Sequence, residues 1–62
     1  MKKLSLINQR FIEAAQYNQL DELKNLLSQG ADIHTNDNNA LRWSAANGHL
    51  EVVKFLFTQG AN

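Results

Sequence analysis

The chain has 62 residues, 44% of them hydrophobic, with six basic and six acidic side chains, two histidines and no cysteine. A chain this short holds one domain with a thin core and a small margin of stability, and no disulfide is available to widen that margin. Zero net charge removes the broad attraction on which a nucleic-acid or membrane-surface binder relies, so neither polyanions nor membranes are expected as partners.

The opening Met1-Lys2-Lys3 is basic, but the apolar run from Leu4 to Ile7 is cut by Asn8, Gln9 and Arg10. It falls far short of a signal-peptide core or a membrane span, and an intracellular, soluble protein is the expectation. From Leu4 to Tyr17 the residues Leu4, Ile7, Phe11, Ala14 and Ala15 recur at three- and four-residue steps, which predicts a first helix with Ser5 as N-cap. Asn18, tolerant of left-handed backbone, predicts a turn. Leu20, Leu23, Leu26 and Leu27 then predict a second short helix, with Asp21 and Glu22 at its positive end and Gly30 as its terminator. Residues 31 to 39 are rich in Asp, Asn and Thr, side chains that compete with helical hydrogen bonding, and are expected to form a connecting loop. Asn39 would cap a third helix carrying Leu41, Ser44 and Ala45. Gly48 would turn the chain, and Leu50, Val52, Val53, Leu56 and Phe57 would line a fourth helix ended by Gly60. No proline interrupts these segments and none alternates like a strand.

The same plan is written twice. Shifting residues 8–32 by 30 positions onto 38–62 pairs Asn8 with Asn38, Ala15 with Ala45, Leu20 with Leu50, Lys24 with Lys54, Leu26 with Leu56, Gln29 with Gln59, Gly30 with Gly60 and Ala31 with Ala61. Other pairs keep their chemistry, as in Phe11/Leu41, Ala14/Ser44, Asp21/Glu51 and Leu27/Phe57. A period of this length signals stacked units that bury their apolar faces on one another and offer an extended surface to partners. The fold expected is all-α, two stacked helix-turn-helix repeats in a single domain over 1–62, with an atypical first unit over 4–33 and a second over 37–62.

The segment from Asn39 to Asn62 resembles an ankyrin repeat, whose pattern runs TPLHxAAxxGHxxVVxxLLxxGADxN. The Gly48-His49 turn, the following Leu50-Glu51-Val52-Val53-Lys54 and the closing Gly60-Ala61 fall in register with it. The first unit follows the same register from Phe11 to His34 in degenerate form, as suits an N-terminal capping repeat. Asn39-Ala40-Leu41-Arg42 stands where the family has Thr-Pro-Leu-His, so an arginine replaces a histidine that commonly ties neighbouring turns. The loop before Leu41 is about three residues shorter than the family norm and does not provide for a full β-hairpin finger. This shortened variety is similar to ankyrin repeats of amoeba-infecting giant DNA viruses, and such an origin would place the chain in a host cytoplasm.

The resemblance implies a non-catalytic module that binds another protein. A second reading is a fragment or decayed copy of a longer ankyrin array with no independent function. Carried over residue by residue, the family's binding surface falls on Gln16 and Tyr17 of the first unit, Ala46 and Asn47 of the second, and the loop residues Asn36, Asp37 and Asn38. Loop asparagines also serve turn geometry alone, whereas Tyr17, aromatic with a polar tip, suits an interface. Trp43 matches a position that is usually leucine and half-buried, and is read as packing between units, with Arg42 stacked on it or bonded to loop carbonyls. His49 is read as structural. His34 and His49 lack companion ligands at metal spacing, so neither a metal nor a cofactor is expected. No nucleophile stands with a base and no carboxylates pair, so an enzyme is not expected. The last helix crowds Val52, Val53, Phe55, Leu56 and Phe57 with no polar unit after it, and self-association through Val52, Val53, Phe55 and Phe57 is one expected means of covering them.

Overall fold

A computed structural model of the protein describes residues 5–60, with the backbone alone at Asn36 and Asp37. The expected helical start at Leu4 and the last repeat pairs, at Ala61 and Asn62, lie outside the described residues. Four α-helices and no strands occur among those residues: α1 Leu6–Gln16, α2 Leu20–Ser28, α3 Thr35–Ala46 and α4 Leu50–Thr58. The chain is all-α, built as two helix-turn-helix units in which α1 packs on α2, α3 packs on α4, and α1 lies against α3 to join the units.

The duplication visible in the sequence is repeated bond for bond. Ser5 caps α1, its Oγ accepting from the Asn8 amide at 3.3 Å. At the end of α1 the Gln19 amide donates to the Ala14 carbonyl at 2.8 Å, and at the equivalent end of α3 the His49 amide donates to the Ser44 carbonyl at 2.9 Å. Closing a helix over six residues in this way requires a left-handed residue just past the cap. Asn18, at φ 60°, and Gly48, at φ 72°, supply it. The α2 end is closed likewise, with the Ala31 and Gly30 amides donating to the Leu26 and Leu27 carbonyls, both at 3.1 Å. Even the hydroxyls of the outer helices match, Ser28 donating to the Asn25 carbonyl at 2.7 Å and Thr58 to the Phe55 carbonyl at 2.6 Å.

The loop expected over residues 31 to 39 is shorter than the sequence suggested, because α3 begins at Thr35. Asp32 organises the start: its Oδ1 accepts from the His34 amide at 2.9 Å and its carbonyl from the Thr35 amide at 3.0 Å. That side-chain turn delivers the chain into helix, with Thr35 buried. Asn39 is not the N-cap; its Oδ1 is buried and finds no partner among the described residues. The residue before it nevertheless marks a change in the helix. Asn38 has φ 61°, and the His34 Nδ1 donates to its Oδ1 at 2.6 Å. The Asn-rich stretch is therefore one irregular helical turn, secured by its own side chains, leading into the regular part of α3.

The core is a single cluster of Phe11, Ala14, Ala15, Leu23, Leu26, Ala31, Ala40, Leu41, Val52 and Leu56. Alanines at 14, 15 and 40 let the inner helices α1 and α3 approach closely, while leucines and Val52 fill the space between these and the outer helices. Each fully buried Leu, Val or Phe contributes about 1.5–3 kcal/mol. Only Phe11, Leu23, Val52 and Leu56 among the larger apolar residues reach full burial, and the stability margin is accordingly narrow.

Candidate interaction surface

The seven residues of the expected surface fall into two groups at opposite ends of α3. Gln16 and Tyr17 end α1, and Ala46 and Asn47 end α3 at the equivalent corner. The two corners are joined: His49 Nε2 donates to the Gln16 carbonyl at 2.9 Å, tying the second unit's turn to the first unit's inner helix. At the joined corners Tyr17 is 65% exposed, Ala46 and Asn47 are exposed, and Gln16 is half-buried. Asn47 is engaged locally, its Nδ2 donating to the Trp43 carbonyl at 2.8 Å. Asn36, Asp37 and Asn38 belong to the first turn of α3 rather than to a loop. At 1.5 Å rise per residue, Asp37 and Ala46 stand roughly 13 Å apart along that helix. One compact patch made of all seven residues is thus not what the fold builds. Asn38 is half-buried, and its side chain is occupied by His34.

What links the two ends is the outward face of α3, where Asn39, Arg42, Trp43 and Ala46 line an open groove of about 400 Å³. Their spacing, i, i+3, i+4 and i+7, makes them one stripe of the helix. Trp43 is 44% exposed, more open than expected of a residue packed between units. The reason is visible in the duplication. Its equivalent is Glu13, also exposed, so this position looks outward in both units. The pairing of Trp43 with Glu13 was the signal available in the sequence, and it outweighs the match to a leucine of the family pattern. A second hollow, over Asn18 to Glu22, is shallow and open. A one-sided groove of this kind can accept an extended segment or a helix from another protein but does not enclose a small molecule.

A family model described as ankyrin repeats, three copies, matches residues 11–62, most of the chain. The chain belongs to the ankyrin-repeat family. No curated protein and no solved structure gives a match. Ankyrin repeats serve generally as protein-protein interaction modules, and the exposed α3 stripe and its two corners are the part of this ankyrin unit best furnished for contact. None of the helices among the described residues is long and apolar enough to cross a membrane.

The expectation for the last helix needs one correction. Val52 is fully buried, because α4 turns it toward the core. It takes no part in any outer surface. Phe55 is half-buried, with the Lys24 Nζ 5.5 Å from its ring centroid, so it too is engaged by the first unit. The residues of α4 that face outward are Leu50, 69% exposed, Phe57, 58% exposed, and the partly exposed Val53 between them.

Proposed function

We propose that this ankyrin-repeat chain is a non-catalytic binding module that holds another protein along the outward stripe of α3 and at the Tyr17 and Asn47 corners. The observation that carries this reading is the exposed Trp43 beside Arg42 in a groove open along its whole length. A tryptophan and an arginine together are the side chains most enriched where binding energy concentrates. Tyr17 extends the surface at one end. The seven-residue surface expected from the family resemblance enters in a revised form, centred on α3 with Gln16, Tyr17, Ala46 and Asn47 and flanked by Asn36, Asp37 and Asn38 at the other end.

Affinity capture with the intact chain, compared with Trp43→Glu and with a Tyr17→Ala/Asn47→Ala double variant, tests this. Trp43→Glu installs the residue that the first unit carries at the same position, so the fold is retained. Loss of a partner with both variants, but not with Glu22→Ala on the far side of α2, is the expected result. Equal recovery from all four proteins would reject the α3 surface.

A further inference from the structure

The duplication shows which surfaces are built to be covered. Ala15 and Leu23 of the first unit are sealed beneath the second, yet their equivalents, Ala45 and Val53, are respectively exposed and partly exposed. Leu20 and Leu27 are partly buried, and their equivalents, Leu50 and Phe57, are the most open apolar residues of the second unit. Leu50, Val53 and Phe57 follow one another at i, i+3 and i+7 and so form a single stripe on α4. The second unit therefore carries, uncovered, the same apolar flank by which the first unit receives its neighbour. The opposite end of the stack is made differently. Arg10, Glu22 and Asn25 are exposed there, where the second unit has the buried Ala40 and Val52 and the half-buried Phe55.

We propose that the α4 stripe of Leu50, Val53 and Phe57 is covered by the same stripe of a second copy of this chain, the two copies related by a two-fold axis with their α4 helices antiparallel. A head-to-tail arrangement would press the stripe onto Arg10, Glu22 and Asn25, desolvating charges that the apolar face cannot pair. The two-fold arrangement matches the stripe to itself. Antiparallel pairing centred on Val53 sets Leu50 of each copy against Phe57 of the other, and the contact is made twice. It also brings Glu51 and Lys54, both exposed and opposite in charge, opposite one another across the rim. One short helix per copy gives an interface below the roughly 1,200 Å² of a stable complex, so the dimer is reversible.

Sedimentation equilibrium of the full chain, from about 10 μM to about 1 mM, reads this directly. A monomer-dimer equilibrium with nothing larger is expected. Phe57→Glu and Leu50→Lys should each weaken it about tenfold or more, with circular dichroism confirming that both exposed-site variants keep their helices. Mixing the two variants should restore association, because a mixed dimer sets the new glutamate against the new lysine and keeps one native Leu50-Phe57 contact. Glu22→Ala should change nothing. A wild-type chain that stays monomeric throughout, species that grow beyond the dimer, or a mixture no tighter than its components would each overturn the proposal. The wild-type series decides alone if a variant unfolds.

Discussion

His49 and Gln16 stand 33 residues apart in sequence, and the histidine Nε2 donates to the glutamine carbonyl at 2.9 Å. The bond runs from the turn of the second unit to the last residue of α1, where helix geometry leaves carbonyls without partners in their own helix. One side chain thus closes a helix end and fixes the second unit on the first. The first unit has Gln19 at this position and no preceding unit among the described residues to reach.

His49→Ala is accordingly expected to destabilise the chain by about 1–2 kcal/mol, the cost of a removed hydrogen bond at a partly buried carbonyl. Urea unfolding followed by circular dichroism measures it. The histidine itself should show the Nε2-H tautomer in nitrogen-15 spectra, because a carbonyl can only accept. An Nδ1-H tautomer would contradict the bond.

The two left-handed turn residues make a matched pair. Asn18 holds φ 60° with a side chain that strains there, while Gly48 holds φ 72° without one. Asn18→Gly should stabilise by about 0.5–1 kcal/mol, and Gly48→Ala should destabilise by about 1–2 kcal/mol through backbone strain. Space is not the issue, since a methyl group at 48 would meet nothing within 4 Å. Thermal midpoints measure both, at about 4–8 °C per kcal/mol for a domain of this size. Shifts of the same sign would refute the assignment.

Ser44 is buried, its Oγ donating to the Leu41 carbonyl at 3.0 Å, and its equivalent, Ala14, is buried without a hydroxyl. The bonded carbonyl already lies within α3, so the hydroxyl adds little there. Ser44→Ala should leave stability within about 0.5 kcal/mol of the parent, because the first unit shows that alanine fits. A loss above about 1.5 kcal/mol in chemical denaturation would mean that the two units are packed differently at this position.

Much of this was legible in the sequence. The helices, the turns at Asn18 and Gly48 and the stop at Gly30 each rest on local chemistry that the neighbouring packing reinforces. The start of α3 was not, since Asp32, Asn36 and Asn38 have side chains that favour turns, and only the particular bonds they make turn the stretch into helix. Asn8 illustrates the same limit: its Oδ1 accepts from the Asp32 amide at 2.8 Å, a contact across 24 residues that spacing along the chain does not announce. At the site, Tyr17 and Asn47 lie where the family register puts them, while Trp43 and Val52 exchange the roles expected of them. For both, the repeat partner held the information. Exposed Glu13 and Glu22 occupy the equivalent positions, the first because that position faces outward in each unit, the second because only the second unit has a neighbour on that side.

The central claim is that the two units are stable only as a stacked pair, and Leu23→Val tests it most directly. Leu23 is fully buried in the first unit, Val53 shows that valine suits the equivalent place, and Trp43 reports on the second unit alone. Removing one methylene should cost about 1 kcal/mol. In urea, the midpoint from Trp43 fluorescence and the midpoint from helical circular dichroism should coincide in the parent and move together in the variant. A Trp43 transition that stays in place while part of the helical signal shifts would show two independently folding units and contradict the account.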